Sequence, residues 1–76
     1  MVKAYVAIIT AAGTSADVVD ALMDCEGVTE AHIVAGNFDV IAEMEADEVS
    51  SLLPKVTQEI QGIDGVGTTR TYIGLS

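Results

Sequence analysis

The hydrophobic period of this chain switches from two to 3.6 and back, twice over, and few small folds accommodate that order. Residues 3–10 (KAYVAIIT) are rich in valine, isoleucine and tyrosine with no breaker, as a β-strand requires. Their apolar side chains occupy both alternating faces, so the strand is expected to be covered on both sides. Ala11-Ala12-Gly13 reads as the turn that follows. Thr14 or Ser15 is placed to cap a helix with Asp17 in its first turn, where the helix dipole favours an anion. Val18, Ala21, Leu22 and Cys25 then recur as one apolar stripe, and Gly27 is the expected stop. Residues 28–35 (VTEAHIVA) form the next strand. Gly36-Asn37 predicts a two-residue hairpin turn, and residues 38–46 (FDVIAEMEA) the returning strand, with Phe38, Val40, Ala42 and Met44 on one face. Asp47 is the expected N-cap of a second helix carrying the stripe Val49, Leu52, Leu53, Val56 and Ile60. Pro54 falls inside that stripe and should bend the helix or split off its first turn. Residues 62–65 end it, and residues 66–75 (VGTTRTYIGL) are the last strand.

The order is therefore β-α-β-β-α-β, with an internal echo: Glu26-Gly27-Val28 and Asp64-Gly65-Val66 each lead from a helix into a strand. Two right-handed βαβ units of this kind build a four-stranded antiparallel sheet with both helices on one face, the ferredoxin-like α+β sandwich, here as a single domain over residues 1–76. The face of the sheet without helices still carries apolar groups, which should be buried against a second subunit.

Size and charge narrow the function. A 76-residue chain with one cysteine, Cys25, builds no internal disulfide and no cysteine-based metal centre. A core of this size supplies only about 3–5 kcal/mol, so oligomerisation is the expected reinforcement. Aromatic residues are few, so that core must be aliphatic. Twelve acids against three bases, Lys3, Lys55 and Arg70, give a net charge of −9. Direct nucleic-acid binding needs clustered lysine and arginine and is excluded for this chain alone. No apolar run of transmembrane length occurs, and the amino-terminal residues read as a strand rather than a signal peptide, so a cytoplasmic protein is expected. The acidity fits a halophilic setting, where a Debye length of about 3 Å at 1 M salt removes the self-repulsion of such a surface.

Catalytic chemistry finds little to work with, and no enzyme is expected. The glycines at 62, 65 and 67 follow a helix and precede a strand, the reverse of a dinucleotide fingerprint. His32 lies mid-strand with no partner at metal-ligand spacing, so neither a metal nor another cofactor is expected. Cys25 sits on an apolar stripe without a base or cation beside it, the setting of an inert thiol. Glu43 and Glu45 share a strand face but lack the cleft and opposed environments of a catalytic carboxylate pair. Two segments exceed what structure alone requires. Gly36-Asn37-Phe38-Asp39 sets an aromatic and a carboxylate at a hairpin tip, and Thr69 and Thr71 present two hydroxyls on one side of the last strand. Together they are candidates for holding a small polar ligand.

At these segments the chain resembles a known family: the effector-binding (RAM) domain of the Lrp/AsnC type of prokaryotic transcription regulators. The likeness runs through Lys3-Ala4-Tyr5-Val6, Gly27-Val28-Thr29-Glu30-Ala31-His32, Val34-Ala35-Gly36-Asn37-Phe38-Asp39, Gly65-Val66 and Thr69-Arg70-Thr71-Tyr72-Ile73. The resemblance implies a regulatory domain that pairs sheet to sheet into dimers, dimers that assemble into rings, and an amino-acid effector bound between dimers. It implies a ligand site made of Gly36, Asn37, Phe38 and Asp39 in the hairpin and Thr69 and Thr71 in the last strand. Asp39 would suit an α-ammonium, and the threonines a carboxylate or amide. No helix-turn-helix precedes the first strand, so a stand-alone form is expected, acting in transcriptional or metabolic regulation through protein partners such as a full-length regulator. An ACT-like regulatory subunit of an amino-acid metabolic enzyme, which shares the fold, is the alternative.

Overall fold

The structure, a computed structural model, describes residues 2–75. Its elements run β1 (Val2–Thr10), α1 (Ser15–Met23), β2 (Val28–Ile33), β3 (Val40–Ala46), α2 (Val49–Pro54), a π-helical continuation (Lys55–Ile60) and β4 (Val66–Ile73). The strands form one antiparallel sheet in the order β2-β3-β1-β4, the ferredoxin-like arrangement.

Register decides what each face carries. Ala4, Val6 and Ile8 of β1 oppose Met44, Ala42 and Val40 of β3, and on the other side Ile73, Thr71 and Thr69 of β4. Directly opposed residues share a face, so these positions look toward the helices. There Val18 and Leu22 of α1, Leu52 of α2 and Val56 and Ile60 of the π-helical segment close an aliphatic core over them. Burying side chains of this size contributes about 1.5–3 kcal/mol each before entropy is charged against it. The opposite face carries Lys3, Tyr5, Ala7 and Ile9 of β1, Glu30 and His32 of β2, Ile41, Glu43 and Glu45 of β3, and Arg70 and Tyr72 of β4. No helix covers it.

Several local expectations are corrected. The hairpin is wider than two residues: Val34 N–H donates to Asp39 C=O at 2.9 Å, leaving residues 35–38 as the loop. Gly36 alone takes a positive φ, of 150°, and Asn37 does not. The cause is Asp39, whose N–H donates to Ile8 C=O at 2.9 Å and draws the loop toward β1, so β3 begins only at Val40. Thr14 stands at the N-cap of α1, but neither it nor Ser15 caps with its side chain. The Thr14 hydroxyl turns back to Ala11 C=O (2.7 Å), and that of Ser15 meets the Thr10 hydroxyl (2.7 Å). Helix α1 stops at Met23 with Asp24 as its C-cap, short of Gly27. Glu48, not Asp47, holds the N-cap of α2, without a side-chain bond.

Pro54 does disturb its helix, though not by splitting off the first turn. It is the last α-helical residue, and the chain continues with wider turns closed by bonds such as Gln61 N–H to Val56 C=O (3.1 Å). Proline lacks the donor and crowds the carbonyl four residues back, so the hydrogen-bond ladder changes spacing beside it. The wider turn keeps Leu52, Val56 and Ile60, each four residues apart, in line on the core. Val49 and Leu53 of the expected stripe are left exposed.

Candidate functional site

The hairpin loop meets the end of β1 at one corner of the sheet. Asp39 is half-buried there. Its Oδ2 accepts the Thr10 backbone N–H at 2.8 Å and the Thr10 hydroxyl at 3.4 Å. The same hydroxyl is shared with Ser15 Oγ, the first residue of α1, at 2.7 Å. One carboxylate thus ties the hairpin, the end of β1 and the start of α1 together, and Oδ1 makes no hydrogen bond to the described residues. Gly36 and Asn37 are exposed at the loop and Phe38 is half-buried beside them. The start of β4 reaches the same corner, since Ala11 N–H donates to Gly65 C=O at 2.8 Å.

Thr69 and Thr71 are half-buried and lie on the helix side of β4. The Thr69 hydroxyl accepts a hydrogen bond from Gln61 Nε2 (2.9 Å) at the end of the π-helical segment. Strand β1 separates β4 from the hairpin strand. Two strand spacings, about 10 Å, therefore stand between the two groups of predicted residues within a single chain. Asp39 stands at the hairpin corner beside Thr10, whereas Thr69 and Thr71 lie on the helix side of β4. Thr10, Ser15 and Gln61 escaped the sequence reading. Thr10 looked like a strand former and Ser15 like a cap, and no local pattern links either to Asp39.

The other polar residues take ordinary roles. The Cys25 thiol donates to Ala21 C=O (3.5 Å), and burial first, then the carboxylates of Glu59 and Asp24, push its pKa up, away from a reactive thiolate. Glu43 pairs with Lys3 at 3.1 Å. His32 is exposed and bonds Glu30 at 3.1 Å; that bond, ahead of one shared with Glu43, holds the Glu30 carboxyl below its usual range. Among the described residues no cluster of His, Cys, Asp and Glu suits a metal ion. At the opposite end of the sheet an open depression of about 360 Å³ runs between Glu26, Glu45, Asp47, Ser51 and Lys55. Lys55 Nζ donates there to Glu26 C=O (3.1 Å), and none of the predicted ligand residues lines it.

Comparison with known proteins bears on the family and the fold. The hypothetical protein PHS023 from Pyrococcus horikoshii superposes with a TM-score of 0.92 at 32% identity, over 100% of this chain and 92% of that one. AsnC of E. coli superposes with a TM-score of 0.91 at 25% identity, over 99% of this chain but only 51% of its own. The Neisseria meningitidis transcriptional regulator NMB0573, solved as an L-Met complex, matches with a TM-score of 0.85 over 99% of this chain and 50% of its own; at 12% identity it shares the fold alone. No curated protein sequence matches the chain. The sequence model of the Lrp/AsnC ligand binding domain matches residues 3–76. A helix-backed sheet of this order, matched over nearly its whole length, places the chain in the Lrp/AsnC ligand-binding domain family.

Proposed function

We propose that this chain is a regulatory domain that binds a small amino-acid effector at contacts between its subunits, and that binding biases its assembly and its protein partners. The observation that carries the reading is the split geometry. The residues a ligand would use lie at exposed or half-buried positions on either side of β1, so a complete site requires a hairpin from one subunit and a β4 from another. Oδ1 of Asp39 is the natural acceptor for an α-ammonium, with Gly36, Asn37 and Phe38 shaping the loop around it. Thr69 and Thr71 of a neighbour would meet the carboxylate or a side-chain amide. The open sheet face, with Tyr5 and Tyr72 exposed on it, pairs with a second copy to form the basic dimer. An effector can shift such an assembly only through its different affinity for the two states.

A thermal-shift screen of the twenty amino acids, followed by calorimetry on any hit, tests this. A ligand at about 100 times its dissociation constant adds about 2.7 kcal/mol of stability. Asp39→Asn keeps an oxygen for the Thr10 N–H and removes the charge, so it should abolish the response while the fold persists. Thr69→Val and Thr71→Val should weaken it less. If no amino acid raises the melting temperature, the sensing function fails. If one binds and Asp39→Asn leaves its affinity unchanged, the pocket lies elsewhere.

A further inference from the structure

The Asp39 carboxylate is held in place before any ligand arrives. Its backbone N–H donates to Ile8 C=O and its C=O accepts from Val34 N–H, both at 2.9 Å. Those bonds fix where the residue stands, but they leave its side chain free to turn among the staggered rotamers. Thr10 removes that freedom. Its backbone N–H donates to Oδ2 at 2.8 Å, and its hydroxyl donates to the same oxygen at 3.4 Å. Ser15, the first residue of α1, stands behind Thr10, with 2.7 Å between the two hydroxyl oxygens. Neither Thr14 nor Ser15 caps α1 with its side chain. The Ser15 hydroxyl goes to Thr10 instead, and through it to Asp39.

The direction of the protons in this row follows from the carboxylate. An ionised carboxylate only accepts, so the Thr10 hydroxyl turns its proton to Oδ2 and receives the Ser15 proton on its own oxygen. Hydrogen bonds aligned head to tail strengthen one another, which matters for a contact as long as 3.4 Å. Without Ser15, the Thr10 hydroxyl is a rotor with water as an equal partner. With it, both Thr10 donors stay on one carboxylate oxygen, and Oδ1 is left as the open acceptor on a side chain whose rotamer is already set. A ligand that meets such a side chain avoids the entropy loss of ordering it on binding.

We propose that Thr10 and Ser15 are positioning residues for the effector: they hold the Asp39 carboxylate in one rotamer and so present Oδ1 to the ligand's ammonium. This rests on the amino-acid site proposed above and adds the residues that set its charge contact. Both act through Asp39 and need no contact with the ligand themselves.

The test uses variants of the full chain. Thr10→Val removes the hydroxyl and keeps the β-branched shape and the backbone N–H. Ser15→Ala removes the other hydroxyl at a helical position that alanine suits. Melts of the unliganded variants by circular dichroism verify that each is folded. The first measurement needs no ligand: three-bond couplings from the backbone nitrogen and carbonyl carbon to Asp39 Cγ, read by NMR. Wild type should show a single χ1 rotamer, and each variant averaged couplings. The second is calorimetry with the amino acid that raises the wild-type melting temperature most in the panel of twenty. Each variant should bind it about fivefold more weakly. Thr10→Ser and Ser15→Thr, which keep the hydroxyls, should retain both the single rotamer and the affinity. If the couplings of Thr10→Val and Ser15→Ala match wild type, Asp39 is held without these hydroxyls and the proposal is overturned. If the couplings average but the affinity is unchanged, the ligand does not depend on the Asp39 rotamer, and the proposal is overturned as well. Equal losses in Thr10→Ser and Ser15→Thr would assign the effect to packing and overturn it too. If no amino acid stabilises wild type, the sensing reading itself fails and the positioning role falls with it, even where the rotamer is single.

Discussion

Asp39 serves the fold as well as the proposed site, and the two roles can be pulled apart at this one residue. Its Oδ2 takes the Thr10 N–H. Asp39→Ala leaves that donor half-buried and unpaired, which should cost about 1–3 kcal/mol in urea denaturation. Asp39→Asn, which retains an oxygen acceptor, should cost distinctly less. Equal losses for the two would mean that the charge and not the acceptor holds the corner. Glycine makes a second contrast at this end of the molecule. Gly13 and Gly65 both hold positive φ, 79° and 95°, but a side chain at Gly13 would meet nothing within 4 Å, whereas one at Gly65 would stand 2.7 Å from Thr14 Oγ1. Gly13→Ala should therefore show only the conformational cost, about 1–2 kcal/mol. Gly65→Ala should exceed it, because Thr14 is held by Ala11 and has little room to retreat.

At the scale of the element, the second helix is the one whose packing differs most from its sequence pattern. Leu52 is fully buried and its neighbour Leu53 is 52% exposed, although both belong to the same apolar stripe in the sequence. Leu52→Ala should cost about 2–5 kcal/mol, as large-to-small core changes do. Leu53→Ala should stay within about 0.5 kcal/mol for the isolated subunit. Thermal or urea melts at low protein concentration decide between them. A large loss at Leu53 would show that its side chain packs against the rest of its own chain.

For the molecule as a whole, charge outweighs any single contact. A net charge of −9 on 76 residues opposes compaction, and the opposition grows when subunits gather. Screening shortens its range from about 10 Å at 0.1 M salt to about 3 Å at 1 M. The melting temperature should therefore climb as KCl is raised from low to molar concentration, and the proposed dimer should tighten over the same range. A flat or falling profile would show that the acids are offset locally, as Glu43 is by Lys3, and that the global field has little weight.

The order of the elements, the family resemblance and most of the core were readable from residue spacing alone. Those depend on local periodicity: the alternation of Val40, Ala42 and Met44, or the spacing of Val18 and Leu22, is satisfied the same way wherever the element lies. The candidate residues in the hairpin and β4 were legible too, because aromatic, acidic and hydroxyl side chains stand out where a bare turn or strand does not need them. Which groups each polar side chain meets depends instead on how the folded elements come together. Asp39 reaches Thr10 across 29 positions of sequence, Thr69 turns toward Gln61, and β1 holds the hairpin apart from β4. The strand order also decided that Lys3 and Arg70 share one half of an open face while the acids of that face take the other. Hydrogen-bond partners and strand neighbours are long-range choices. Many of them satisfy the same local pattern equally well, and the closing of the whole core over β1 is what selects among them.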